Sequence, residues 1–83
     1  MMRSYFTGKI HCLIQTIHGE QMEELVDVEH GMALAYLEAG YDFGVFTKDE
    51  NDKMIACLER ISENRKSEIR EAERRRECAV HVS

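Results

Sequence analysis

The last third of the chain constrains the fold most. Thr47-Lys48-Asp49-Glu50 has the form of a helix start, and no proline stands anywhere in the 83 residues to end the helix it opens. The Thr47 hydroxyl can accept from the Glu50 amide while the Glu50 carboxylate reaches back, and Asp49 suits the positive helix end. The helical register runs Met54, Leu58, Ile61, Arg65, Ile69, Ala72, Arg76. Its steps are closer to an eleven-residue repeat than to strict heptads, which favours a straight or weakly right-handed pairing over a left-handed supercoil. The apolar stripe fades after Ile61, however, and Ile69 and Ala72 alone cannot hold a dimer zipper. The segment therefore reads as a compact core over residues 1–62 and a charged helical extension over 63–83. The extension either docks on a second copy through Ile61, Arg65, Ile69 and Ala72, frays freely, or folds on a different protein.

Charge pairs along this helix give partial support. Asp49–Lys53 and Glu71–Arg75 are favourable at i,i+4, at about 0.2–0.5 kcal/mol each, while Lys66–Arg70 and Arg70–Arg74 are like-charged and oppose them.

Upstream, Lys9–Ile17 alternates, with Ile10, Cys12, Ile14 and Thr16 on one side, and predicts a strand. Ser4–Thr7 is a short partner strand or its continuation through a bulge at Gly8. Glu20–Ala39 has the helical period, with Met22, Leu25, Val26, Met32, Ala33, Tyr36 and Leu37 together; Gly31 kinks or divides it, and Gly40 is a credible stop. A strand over residues 22–28 is the alternative there. Tyr41–Phe46 reads as another strand, with Tyr41, Phe43 and Val45 on one face. The order strand, helix, strand, helix predicts a small two-layer α+β domain. Two or three strands leave both sheet edges open, so pairing across a two-fold axis would help a chain that buries only about 60% of its unfolded surface.

The net charge of −5 lies wholly in the first half. Arg3 and Lys9 face seven acidic residues between Glu20 and Asp42, whereas nine basic residues balance nine acidic ones from Thr47 onward. The acidic half should repel nucleic-acid phosphate. The basic cluster of Arg65, Lys66, Arg70 and Arg74–Arg76 is interleaved with five glutamates. Helix-turn-helix spacing around Gly40 is faint, and its reading helix would open on Asp42 without a base-reading arginine.

The chain offers little chemistry. Three cysteines cannot form a complete disulfide framework, and with no signal-peptide pattern they point to a reducing cytoplasm. No apolar run approaches the ~20 residues that span a bilayer. Cys12 and Cys57 read as small buried hydrophobes. Cys78 and His81 have a ligand-like spacing but no second pair to complete a zinc site. Neither Cys12 nor Cys57 makes a catalytic signature with His18 or His30, and no phosphate-cradling glycine loop is present. No cofactor or metal is expected, and no enzyme. Tyr36, Tyr41, Phe43 and Phe46 read as core aromatics. The sequence thus leads to a cytoplasmic, homodimeric, acidic protein that binds another protein as an inhibitor or adaptor, through Glu20, Glu23, Glu24, Asp27 and Glu29. The alternative is a nucleic-acid-associated regulator that uses the Arg65–Arg76 stretch.

Overall fold

The computed structural model describes residues 2–82, with side chains through Cys78, and every regular element among them is helical. Helix α1 spans Met2–Gly19, α2 Glu23–Asp42 and α3 Lys48–Val82. The α+β expectation is overturned at each of its strands. Residues 4–7 and 9–17 all belong to α1, and the alternative strand over 22–28 is helix from Glu23 onward. At a period of 3.6, Phe6, Ile10, Leu13, Ile14 and Ile17 fall on one side. The alternating reading had set Leu13 and Ile17 against Ile10 and Ile14. In the helix Phe6, Ile10 and Ile17 are buried, and Leu13 and Ile14 are half-buried. The β-branched residues cost a helix only tenths of a kcal/mol each, whereas burying each large side chain contributes about 1.5–3 kcal/mol.

The expected strand at 41–46 is the end of α2 and the turn after it. Helix α2 passes unbroken through Gly31 and Gly40 and ends at Asp42, with the chain turned at Gly44, whose φ of +75° is the left-handed conformation that glycine adopts without strain. The Gly44 N–H donates to the Tyr41 carbonyl (3.0 Å) and the Val45 N–H to the Gly40 carbonyl (2.8 Å), which closes a Schellman motif. Gly40 has a packing role instead. It is buried, and a Cβ built there would lie 2.5 Å from Cε2 of the Phe46 ring.

The helix start at Thr47 forms as the sequence indicates. The Glu50 N–H donates to the Thr47 hydroxyl (3.1 Å) and the Thr47 N–H to the Glu50 carboxylate (3.0 Å). Arg3, on α1, then ties this corner together. It donates to the Val45 carbonyl (3.0 Å), pairs with Glu50 and lies over the Phe46 ring at 5.5 Å.

Two apolar clusters fix the topology. Phe6 and Ile10 of α1 meet Ala33 and Leu37 of α2, Phe46 of the turn and Leu58 of α3. Ile17, near the end of α1, meets Val26, near the start of α2, and Ile69 of α3. The helices therefore run up, down and up as a three-helix bundle. With 35 residues, α3 extends about 52 Å, against about 27–30 Å for α1 and α2, and this accounts for the 57 Å long dimension of the molecule.

Candidate functional site

Most of the residues expected to contact a partner or a second copy are engaged within the chain. Glu23 of α2 pairs with Arg70 of α3 at 3.0 Å, and Asp27 pairs with Lys66 at 2.9 Å. Lys66 also reaches Glu63 at 3.1 Å, and its ammonium is held above the usual lysine range chiefly by the hydrogen bond to Asp27. The like-charged Lys66–Arg70 step thus has its opposite charges on the neighbouring helix. Exposed pairs of this kind contribute about 0.2–1 kcal/mol each, so they set the register of α2 on α3 more than they hold it.

The proposed dimer contacts on α3 also turn inward. Ile61 packs against the cluster of Ile17, Val26 and Ile69, and Ile69 is 4% exposed. Ile69 does not project beyond the core, because α1 and α2 are helices whose joining loop reaches that level. Arg65 closes the end of α1: its Nε donates to the Glu20 carbonyl at 2.8 Å, and a second guanidinium nitrogen donates to the same oxygen. Ala72 is exposed. Of the basic run, Arg74 and Arg75 both lean on Glu71, at 3.2 and 3.7 Å.

Glu29 is half-buried, and its Oε2 finds no hydrogen-bond partner. Two other buried polar atoms share that condition, Nε2 of His30 and Oγ of Ser62. His30 lies between Val26 and Ala33 on α2, and Ser62 between Leu58 and Ile69 on α3. Both therefore occupy the level between the two apolar clusters. Burial first, then the hydrogen bonding and charge of Glu20, push the Glu29 carboxyl up to about 7. The folded chain binds this proton more tightly than the unfolded chain, so stability falls as pH rises from about 4.5 through about 7 and is level above. Glu29→Gln is expected to be more stable than the natural chain at pH 8, by on the order of 1–2 kcal/mol after solvent screening, and equal to it below pH 4.5. Urea denaturation at the two pH values checks this, and an equal difference at both would refute the assignment.

With these groups engaged, two surface features of α2 remain. Glu24, Glu38 and Asp42 are exposed and join no ion pair among the described residues. An apolar band also runs the length of the helix through Leu25, Val28, Met32, half-buried Tyr36 and Phe43 in the turn. Val28 is 56% exposed and Phe43 69%. Tyr5 of α1, 54% exposed, extends the band, with its ring edge-on to Tyr36 at 6.5 Å between centroids. Lys9, Cys12, Leu13 and Thr16 of α1 and Met32 and Tyr36 of α2 line a shallow groove between the helices. Sequence reasoning missed this band, because Leu25, Met32 and Tyr36 share the helical period of the core residues. The available signal was that α2 carries more large apolar residues than one buried stripe can hold. Val26, Ala33, Leu37 and Gly40 form the buried stripe, and Leu25, Val28, Met32 and Tyr36 a second beside it.

The three cysteines are free; Cys57 is half-buried, while Cys12 is exposed rather than buried. Cys78 is exposed, and the side chain of His81 lies outside the described residues. Among the described residues no group of three or more His, Cys, Asp or Glu could hold a metal ion, and no helix is long and apolar enough to cross a membrane. No protein-family model, curated protein or solved structure matches the chain.

Proposed function

We propose that the chain works by contact, as a non-enzymatic homodimer that binds and modulates another protein in the manner of an inhibitor or adaptor. The observation that carries this reading is the exposed apolar band of Tyr5, Leu25, Val28, Met32 and Phe43. Single exposed apolar residues are ordinary on a soluble surface; a contiguous band along two neighbouring helices marks an association surface. Glu24 and Asp42 lie beside it on α2, Glu38 lies at the groove between α2 and α3, and together they would select a basic partner surface. Three free thiols, two of them exposed, favour a reducing setting, and the cytoplasm is the compartment we propose. The nucleic-acid alternative has less support, since Lys66 and Arg70 are already met by Asp27 and Glu23.

The test is an affinity capture from the native cell with the natural chain and with Glu24, Glu38 and Asp42 each changed to lysine. Loss of a reproducible protein partner from the triple variant is the expected result. An unchanged set of partners would overturn the acidic contact, and capture of nucleic acid that collapses with added salt would favour the alternative.

A further inference from the structure

The charges of the α1/α2 pair are divided between its helices in a way that selects a partner. Helix α1 carries Arg3, Lys9, His11 and His18 and no acidic residue. Helix α2 carries Glu23, Glu24, Asp27, Glu29, Glu38 and Asp42 and no lysine or arginine. The apolar band lies on this pair, away from α3: at 100° per residue, Leu25 and Met32 sit well around α2 from Glu23 and Asp27, which pair with α3. Arg3 is held by Glu50, and Glu23 and Asp27 by α3, so the charge left to an occupant of this face is Lys9 on α1 and Glu24 and Asp42 beside the band on α2.

We infer that the occupant is a second copy of the chain, stacked face to face about a two-fold axis parallel to the helices, so that α1 of each copy lies over α2 of the other. This deepens the homodimer of the proposed function and rests on that reading. Two-fold axes of two kinds can bring these faces together. An axis in the plane of the face and perpendicular to the helices would lay α2 on α2 and α1 on α1, with Glu24 and Asp42 of the two copies on one seam and Lys9 toward Lys9. The parallel axis lays the acidic helix on the basic one twice, and like-charge juxtaposition is avoided. Four helices in two stacked hairpins are also a recurrent packing solution, with apolar seams closed between the hairpins. The face is about 27 Å long and, for helices about 10 Å apart, about 20 Å wide. Its corrugated surface therefore approaches the ~800 Å² per partner of a standard interface. Lys9 lies in the groove, its ammonium 5.6 Å from the Tyr5 ring centroid, where it would face the partner's α2.

Sedimentation equilibrium of the full chain tests the inference, at several protein concentrations and at low and high salt. The expected particle is twice the 9.7 kDa chain. Met32→Asp should weaken the dimer by about thirtyfold or more while leaving the helical circular dichroism and its melting transition in place, because Met32 is 47% exposed. Lys9→Glu should also weaken the dimer, and added salt should weaken the natural dimer. A monomer at all concentrations, or a dimer indifferent to Met32→Asp and Leu25→Asp, would overturn the face as the dimer site. A dimer strengthened by Lys9→Gln would overturn the axis, since only α1 lying on α1 gains from removing that charge. These outcomes are separate from the capture experiment, in which a monomer could still retain its protein partner through Glu24, Glu38 and Asp42.

Discussion

A chain ended after Ser62 is expected to lose cooperative unfolding, whereas one ended after Ala72 should melt within a few degrees of the full chain. The first cut removes Ile69, whose burial against Ile17 and Val26 completes the second apolar cluster. Losing a buried isoleucine side chain costs about 2–5 kcal/mol. The same cut removes Arg65, whose guanidinium satisfies the Glu20 carbonyl at the end of α1, a charge-assisted contact contributing about 1.5–3 kcal/mol. The partners of Asp27 and Glu23 go as well. Against a total stability of about 5–15 kcal/mol, such losses remove most of the margin. Among the described side chains the second cut removes only exposed ones, Glu73 to Cys78, with the contacts of Arg74 and Arg75 to Glu71. Thermal melts followed by circular dichroism decide the matter. If the Ser62 chain melts within about 5 °C of the full chain, Ile69 and Arg65 do not hold this end of the bundle. Ile69→Ala separates the two contributions, with an expected fall of about 10–25 °C.

The helix in the last third was legible because its signals were local. Thr47 and Glu50 specify a capping box within four residues, and no proline interrupts the helix beyond it. Its support was not legible, because Ile69 is buried by residues about fifty positions earlier. Recognising that required α1 to be read as a helix. The residues of α1 satisfy two periods at once over a short window. Ile10, Cys12, Ile14 and Thr16 alternate, while Phe6, Ile10, Leu13, Ile14 and Ile17 repeat at the helical spacing. Only the longer window, including Phe6 and Ile17, separates the two. The error at Gly40 has a similar origin. A glycine after Ala39 resembles a helix stop, but the left-handed conformation is taken by Gly44, and the absence of a side chain at Gly40 serves the Phe46 ring. For the contact surface, composition located the acidic residues between Glu20 and Asp42, although Glu20 precedes α2 and Asp42, expected on a strand, ends it. It could not show that Glu23 and Asp27 face Arg70 and Lys66, a long-range pairing that leaves only some of the acids on the outside.

Phe46→Ala is expected to destabilise the chain by about 3–5 kcal/mol, and it should also reverse the sign of a second substitution. Phe46 is 4% exposed and joins Phe6, Ile10, Ala33, Leu37 and Leu58 in the larger cluster, so its removal leaves a cavity bordered by all three helices. Gly40 lies beneath the ring. A Cβ there would stand 2.5 and 2.7 Å from two ring carbons and 3.5 Å from Cγ of Phe6. With Phe46 present, Gly40→Ala must displace a buried ring, at about 1–3 kcal/mol, which exceeds the ~1 kcal/mol that alanine gains over glycine inside a helix. With alanine at 46 there is no ring to displace. Gly40→Ala should then stabilise by about 0.5–1 kcal/mol through helix propensity and partial filling of the cavity. The four chains form a double-mutant cycle, with an expected coupling of about 2 kcal/mol between positions 40 and 46. Urea denaturation of each chain measures it. If Gly40→Ala stabilises both backgrounds equally, the ring does not rest on Gly40, and the close approach of the α2–α3 turn to α2 is not what holds this end of the bundle shut.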